Sequence, residues 1–116
     1  MEEKHSEMVR ELAKPGQEIL PTLTTLRVAS LHMAMGISGE AGEVVDEIKK
    51  TVMYDRDFNP GKIIEELGDL EFYLEGLRQA LGISREDVLA GNIQKLRKRY
   101  GKSYSDQAAN ARVDKS

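Results

Sequence analysis

Two short acidic segments constrain the fold of this chain more than any other feature of its sequence. The first contains Glu40 and Glu43, and the second contains Glu66 and Asp69. In each pair the carboxylates are three positions apart, and on an α-helix this spacing places both on one face, one turn from each other. The pattern predicts two helices, each with a pair of acids on one side.

The apolar residues around each pair indicate where the acids lie. Successive helical residues turn by about 100°, and by this count the acids fall beside an apolar stripe rather than opposite it. The first stripe consists of Ala41, Val44, Val45, Ile48 and Val52, with Glu47 also on its border. The second consists of Ile63, Leu67, Leu70, Leu74, Leu77 and Leu81, with Lys62 and Tyr73 on its border. If the stripes pack together, both pairs meet at the edge of a core.

Four carboxylates in that position predict a site for divalent cations, because crowded acids need cations to remain ionised. Oxygen ligands favour Mg²⁺, with Mn²⁺ as a second choice, over zinc or copper. The residues alone leave a second interpretation open. An acidic chain also places acid pairs at this spacing by chance, as ordinary solvated charge on amphipathic helices.

The second acidic segment lies in the most clearly marked helix. Asn59 is a suitable N-cap, and Pro60 follows at the first helical position, where its missing N–H is not needed. The helix is predicted to end at Leu81, before Gly82. Its leucines recur at alternating steps of three and four, which is typical of a helix packed nearly parallel to its neighbour.

Three further helices are predicted from similar signals. A short one is expected over residues 3–13 and a long one over residues 22–53. Gly36, Gly39 and Gly42 lie along one face of the long helix, which indicates close approach by another helix or a kink near Gly36, with a break there as the alternative. Ser84 is predicted to cap the last helix, which Gly101 closes. We therefore predict an all-α protein, a bundle of four to five helices with the site between the acid-bearing helices.

Composition limits the class of protein further. At 116 residues the chain is the size of one domain with a single core. The absence of cysteine excludes disulfides and thiolate metal sites. The net charge of -3 argues against nucleic-acid binding. No apolar run approaches the ~20 residues that span a bilayer, and the N-terminus lacks a signal-peptide pattern. We expect a soluble cytoplasmic domain over residues 1–105, without membrane partners, and a polar tail over 106–116.

A basic edge is predicted on the last helix. Asn92, Lys95 and Arg99 border its apolar stripe in the angular position that the acids occupy on the earlier helices. Together with Lys62 they would add positive charge where a polyphosphate needs it. The alternative is a basic C-terminal turn that is stabilised by its own helix dipole.

Three ordered motifs closely resemble the MazG-like branch of the all-α nucleoside triphosphate pyrophosphohydrolases, which is marked by Glu-x-x-Glu followed by Glu-x-x-Asp. They are Gly-Glu-Ala-Gly-Glu-Val at 39–44, Glu-Glu-Leu-Gly-Asp-Leu at 65–70 and Asn-Ile-Gln-Lys-Leu-Arg-Lys-Arg-Tyr at 92–100. The resemblance covers roughly residues 26–105. It implies Mg²⁺-dependent cleavage of a nucleoside triphosphate between its α and β phosphates, which gives the monophosphate and pyrophosphate.

The resemblance also implies roles for individual residues. The metal ligands and catalytic residues are expected to be Glu40, Glu43, Glu66 and Asp69. The residues expected to contact substrate are Lys62, Asn92, Lys95 and Arg99. Glu47 and Glu65 are both candidates for orienting the attacking water. Members of this family are dimers or tetramers with sites near subunit contacts, so a homodimer or homotetramer is expected.

Two other interpretations fit the residues without the resemblance. One is a non-catalytic helical module that self-associates through its leucine face and binds nucleotides without hydrolysing them. The other is a structural bundle whose acids are solvated. Magnesium-dependent release of pyrophosphate separates the enzyme from both alternatives.

Overall fold

The computed structural model describes residues 2–101, and the long elements in this range are α-helices. The helices are α1 (Glu2–Leu12), α2 (Gly16–Ile19), α3 (Thr25–Met53), α4 (Pro60–Leu81) and α5 (Arg85–Tyr100), with a 3₁₀ turn at Leu20–Thr22. The predicted all-α class is confirmed. The predicted tail over 106–116 and the end of the predicted domain lie outside the described residues.

The capping residues act as predicted. The Asn59 side chain accepts a hydrogen bond from the backbone N–H of Lys62 at 3.1 Å, and Ser84 Oγ accepts one from Asp87 at 3.0 Å. Gly82 ends α4 in the left-handed conformation, at φ 66°. Helix α3 begins three residues later than predicted, because the chain first makes a 3₁₀ turn and Thr24 then caps the helix.

Helices α3 and α4 pack against each other as an antiparallel hairpin, and the connection between them is residues 54–59. We call the buried and half-buried residues along this contact the seam. On α3 the seam includes Ala29, Ser30, Met33, Gly36, Ile37, Glu40, Val44, Glu47 and Thr51. On α4 it includes Ile63, Glu66, Leu70, Tyr73, Leu74, Gly76, Leu77 and Ala80. The three-and-four spacing predicted for α4 is present on both helices.

Two glycines allow the helices to approach closely. A Cβ at position 36 would overlap the ring of Tyr73, and a Cβ at position 76 would overlap Met33. Helix α3 continues unbroken through Gly36, so the alternative of a break is wrong, and the predicted close approach by another helix is confirmed.

The expectation of a single apolar core within the chain is wrong for residues 2–101, since no apolar side chain among them is buried. Most of the predicted α3 stripe lies outside the seam, and Val45 and Val52 are 63% and 77% exposed. On α4, Leu67 and Leu81 are also exposed. The reason is geometric: α1 and α5 form no extended contact with the hairpin, and two helices alone bury one narrow face each.

No helix among residues 2–101 combines the length and apolar character that crossing a membrane requires.

The Gly36 contact gives a test of the seam. We expect Gly36→Ala to lower the free energy of unfolding by about 1–3 kcal/mol, because the added methyl overlaps the Tyr73 ring and forces local repacking. Gly39→Ala is the matched control, since nothing lies within 4 Å of a Cβ there. It should be neutral or stabilise α3 by about 0.5–1 kcal/mol, because glycine is a poor helix former. Urea denaturation followed by circular dichroism measures both, and equal effects would contradict the packing described.

Candidate metal centre

Three carboxylates from two helices meet in the seam. Glu40 on α3 and Glu66 and Asp69 on α4 each offer one oxygen, and these oxygens all lie within 4.8 Å of one another. We call this group the carboxylate cluster. Glu66 is buried, with 6% of its surface exposed, whereas Glu40 is half-buried and Asp69 is exposed. The cluster is therefore anchored inside the helix contact and opens to solvent at Asp69.

The seam spacing explains why these acids meet. Glu66 occupies a position in the series 63, 66, 70, 73, and Glu40 occupies one in the series 33, 37, 40, 44. Both acids thus lie within the line of contact. The prediction that the acid pairs would meet between the helices is confirmed for three residues, but the prediction that all of them lie on the border of the apolar contact is wrong for Glu40 and Glu66.

The donors fit a hard divalent cation. All three ligands are carboxylate oxygens, which Mg²⁺ and Mn²⁺ prefer. Ligands at 2.0–2.1 Å from one Mg²⁺ are at most about 4.2 Å apart. The cluster spans no more than 4.8 Å, so small side-chain rotations would close it around one ion. Three protein ligands leave coordination positions for water or substrate oxygens.

The cluster is electrostatically strained without a cation. Partial burial, followed by the negative charges of Asp69, Glu66 and Glu43, raises the pKa of Glu40. Desolvation and like charges both disfavour the ionised carboxylate. Glu43, the fourth residue predicted as a ligand, lies outside the group of three oxygens. Its charge nevertheless acts on Glu40.

Lys62 supplies the cation closest to the cluster. Its ammonium lies 3.1 Å from Glu66 and 3.6 Å from the exposed Glu65. The hydrogen bond to Glu66 and the charges of both glutamates raise the pKa of Lys62. The lysine, one turn before Glu66 on α4, therefore neutralises the buried acid.

The other residues predicted to contact substrate lie elsewhere in the protomer. Asn92, Lys95 and Arg99 are on α5, which forms no extended contact with α3 or α4 within residues 2–101. Within one chain the basic edge does not pack onto the carboxylate cluster. Whether these residues meet a substrate stays a prediction.

A second buried acid lies one heptad beyond Glu40. Glu47 is 9% exposed, and Lys50 Nζ donates a hydrogen bond to its carboxylate at 3.0 Å. Sequence reasoning treated Glu47 as a candidate for orienting water and missed Lys50 and the nearby Arg56. The seven-residue spacing from Glu40 to Glu47 was the available signal, because it repeats the same face of a packed helix.

Comparison with known proteins identifies the family. A model described as the MazG nucleotide pyrophosphohydrolase domain matches residues 29–103, which include the carboxylate cluster, Lys62 and all of α5. This chain belongs to the MazG nucleotide pyrophosphohydrolase domain family. The resemblance predicted for roughly residues 26–105 is confirmed over residues 29–103, and the fold of the described residues is the all-α one that it implied.

A phage protein is also similar in sequence. The chain is 33% identical over 73 residues to the Gene 37 protein of Mycobacterium phage L5, in an alignment that covers 59% of this chain and 63% of the phage protein. The chain thus spans a little under two thirds of the length of this phage relative. No solved structure matches the chain.

The raised pKa of Glu40 predicts how stability depends on metal and pH. We expect Glu40→Gln to raise the melting temperature of the metal-free protein at neutral pH, because it removes one of the crowded charges. A carboxyl with a raised pKa in the folded state costs stability above that pKa, and the cost is relieved as pH falls through it. The difference in melting temperature between variant and wild type should therefore shrink as the pH falls from neutral through the raised pKa of Glu40.

Thermal melts in EDTA and in excess Mg²⁺, over a series of pH values, measure how the melting temperature depends on metal and pH. Magnesium should stabilise wild type more than Glu40→Gln, which lacks one ligand. Glu71→Gln is the control, because Glu71 is exposed and its one ion pair within residues 2–101 is a 4.0 Å contact with Arg78. A lower melting temperature for Glu40→Gln in EDTA would contradict the account of the cluster.

Proposed function

We propose that this protein is a Mg²⁺-dependent nucleoside triphosphate pyrophosphohydrolase, which cleaves between the α and β phosphates and releases nucleoside monophosphate and pyrophosphate. The observation that carries the proposal is the carboxylate cluster, in which acids from two helices converge within a member of the MazG family. Oxygen-only ligands with open coordination positions suit a metal shared with substrate phosphates.

In this proposal Glu40, Glu66 and Asp69 hold the metal, and Glu43 joins them when its side chain turns inward. Bound Mg²⁺ would polarise the phosphoryl oxygens and offset the charge that develops during phosphoryl transfer. The chain's own contribution is to fix the ligands. Glu66 is held by burial and by Lys62, so at least one ligand is ordered before a metal or substrate arrives.

Lys62 has a second role in the proposed reaction. Its ammonium and a divalent cation would compete for the carboxylate of Glu66, and a divalent cation bound at the cluster would repel the lysine. Lys62 lies in the first turn of α4, with 41% of its side chain exposed. It can therefore turn from Glu66 toward a phosphate oxygen and remain paired with a negative charge.

We further propose that the protein acts as a homodimer or homotetramer. Exposed apolar side chains on α3, α4 and α5 include Leu31, Met35, Val45, Val52, Ile64, Phe72, Leu89 and Ile93. Association with further copies would bury apolar surface that the hairpin leaves in water. Lys95 and Arg99 form no ion pair within residues 2–101. A second copy of α5 would bring them to the cluster as phosphate ligands.

Loss of a ligand tests the activity. We expect Asp69→Asn and Glu66→Gln each to reduce magnesium-dependent release of pyrophosphate by more than about 100-fold, beyond what outer-shell changes at metal sites cause. Asp69 is exposed, so its replacement should leave helicity unchanged. Asp46→Asn is the control, since Asp46 is exposed and its ion pair within residues 2–101 is a long one, 4.0 Å to Lys49. It should retain activity.

The assay uses a panel of canonical, damaged and deoxyuridine triphosphates and a guanosine alarmone, because the residues do not specify a base. A wild-type protein that releases pyrophosphate from none of them, yet binds one tightly, would be a nucleotide-binding module instead. Full activity of Asp69→Asn would exclude the proposed metal site.

The assembly has its own test. We expect light scattering coupled to gel filtration to give the mass of a dimer or a tetramer. Val45→Lys should shift it toward the monomer, because a lysine in an apolar interface is costly to bury. The same change costs little in one protomer, where Val45 is 63% exposed. Gln17→Lys, at another exposed position, is the control for added charge. A wild-type monomer would contradict this proposal.

A further inference from the structure

A polar cleft lies where the end of α3 and the start of α4 meet the connection between them. Its volume is about 300 Å³, at the lower end for small-ligand sites. The lining residues are Glu47, Lys50, Arg56, Asp57, Asn59 and Lys62. All of them are charged or carry an amide, and three are cations. Among residues 2–101, no aromatic or aliphatic residue lines the cleft, so this lining suits a small polar ligand better than a nucleobase.

The cleft adjoins the carboxylate cluster. Lys62 lines the cleft, and its ammonium also lies 3.1 Å from the Glu66 carboxylate of the cluster. A ligand in the cleft would therefore be one side chain away from the proposed metal. A metal-bound phosphate chain has a divalent cation at one end and free anionic oxygens at the other. The carboxylate cluster suits the first end, and the three basic side chains of the cleft suit the second.

The connection brings Arg56 to the cleft. The backbone N–H of Arg56 donates a hydrogen bond to the carbonyl of Lys50 at 3.4 Å, so the chain folds back on the end of α3. Asp55 makes the turn in the left-handed conformation, at φ 49°. Aspartate tolerates this conformation better than most residues. The turn thus places Arg56 beside Lys50 in the cleft lining.

Arg56 is the cation best able to bind a new anion. Lys50 is already paired with Glu47, and Lys62 with Glu66. Arg56 forms no ion pair among residues 2–101. The planar guanidinium binds phosphate through two parallel hydrogen bonds, whereas lysine acts as a point charge. None of the three motifs of the sequence includes Arg56 or Lys50.

We propose that this cleft binds the β and γ phosphates of the nucleoside triphosphate, and therefore the pyrophosphate product, with Arg56 as its principal ligand. The inference rests on the proposed function and extends it. The α phosphate carries the sugar and base, for which the cleft offers no wall. The terminal phosphates need only cations and hydrogen-bond donors, which Arg56, Lys50, Lys62 and the Asn59 amide supply.

Product inhibition tests the proposal. Arg56→Ala should raise the inhibition constant of inorganic pyrophosphate and the KM for substrate by roughly tenfold, the loss expected for one charge-assisted contact. The inhibition constant of the nucleoside monophosphate should not change. Arg56→Lys should fall between wild type and Arg56→Ala. Lys49→Ala is the control, because Lys49 lies next to Lys50 in sequence but outside the cleft.

Calorimetry gives a readout without turnover. Titration of the full chain with inorganic pyrophosphate in Mg²⁺ should show binding that Arg56→Ala weakens by the same factor and Lys49→Ala leaves intact. Unchanged pyrophosphate binding in Arg56→Ala would overturn the proposal, as would equal weakening of monophosphate and pyrophosphate. If wild type hydrolyses no triphosphate, the proposed function fails, and calorimetry alone decides whether the cleft binds pyrophosphate.

Discussion

Glu66 lies in the contact between α3 and α4 with 6% of its surface exposed, and a carboxylate in that position has to be paired. Its partner is Lys62, four residues earlier on the same helix. Glu47 is paired in the same way with Lys50, three residues later on its own helix. Within residues 2–101 no ion pair joins α3 to α4. Each helix thus neutralises its own buried acid, and Glu40 meets Glu66 and Asp69 with no cation of its own.

The acids in the seam also determine where the apolar residues lie. A contact between two helices has room for only one or two side chains per turn from each, and Glu40, Glu47 and Glu66 occupy three of these positions. Valine and leucine side chains such as Val45 and Leu67 are therefore exposed beside the contact. A hairpin of this kind gains less from apolar burial than its composition allows. Its stability depends more than usual on what binds at the acids and on what covers the exposed stripes.

Local chemistry in the sequence predicted the ends of the helices, because caps such as Asn59 and Gly82 act within one turn. The grouping of Glu40, Glu66 and Asp69 was also predictable, since it follows from spacing on two adjacent helices. The contacting face was not. At about 100° per residue, the α3 residues that contact α4, such as Glu40 and Glu47, centre roughly a quarter turn from the middle of the apolar stripe of residues 41–52. Helix α4 packs on that acid-bearing face and leaves most of the stripe exposed, which amphipathic spacing within α3 does not predict. The Gly36–Tyr73 approach depends on register between the helices, which spacing within one helix does not contain.

Under the proposed function, the carboxylate cluster and the cleft would let a hairpin recognise a metal–phosphate complex rather than either part alone. Free polyphosphate approaching the cluster meets Glu40, Glu66 and Asp69, which repel it. A free divalent cation meets the ammonium of Lys62, already at Glu66. In this proposal, a metal held by Glu40, Glu66 and Asp69 would take the place of Lys62 at the carboxylate, and the lysine would turn to the phosphates, so each ligand would remove the charge that opposed the other. Under the proposed function, metal and nucleotide bind with positive coupling. The coupling arises from the position of Lys62 between the carboxylate cluster and the polar cleft.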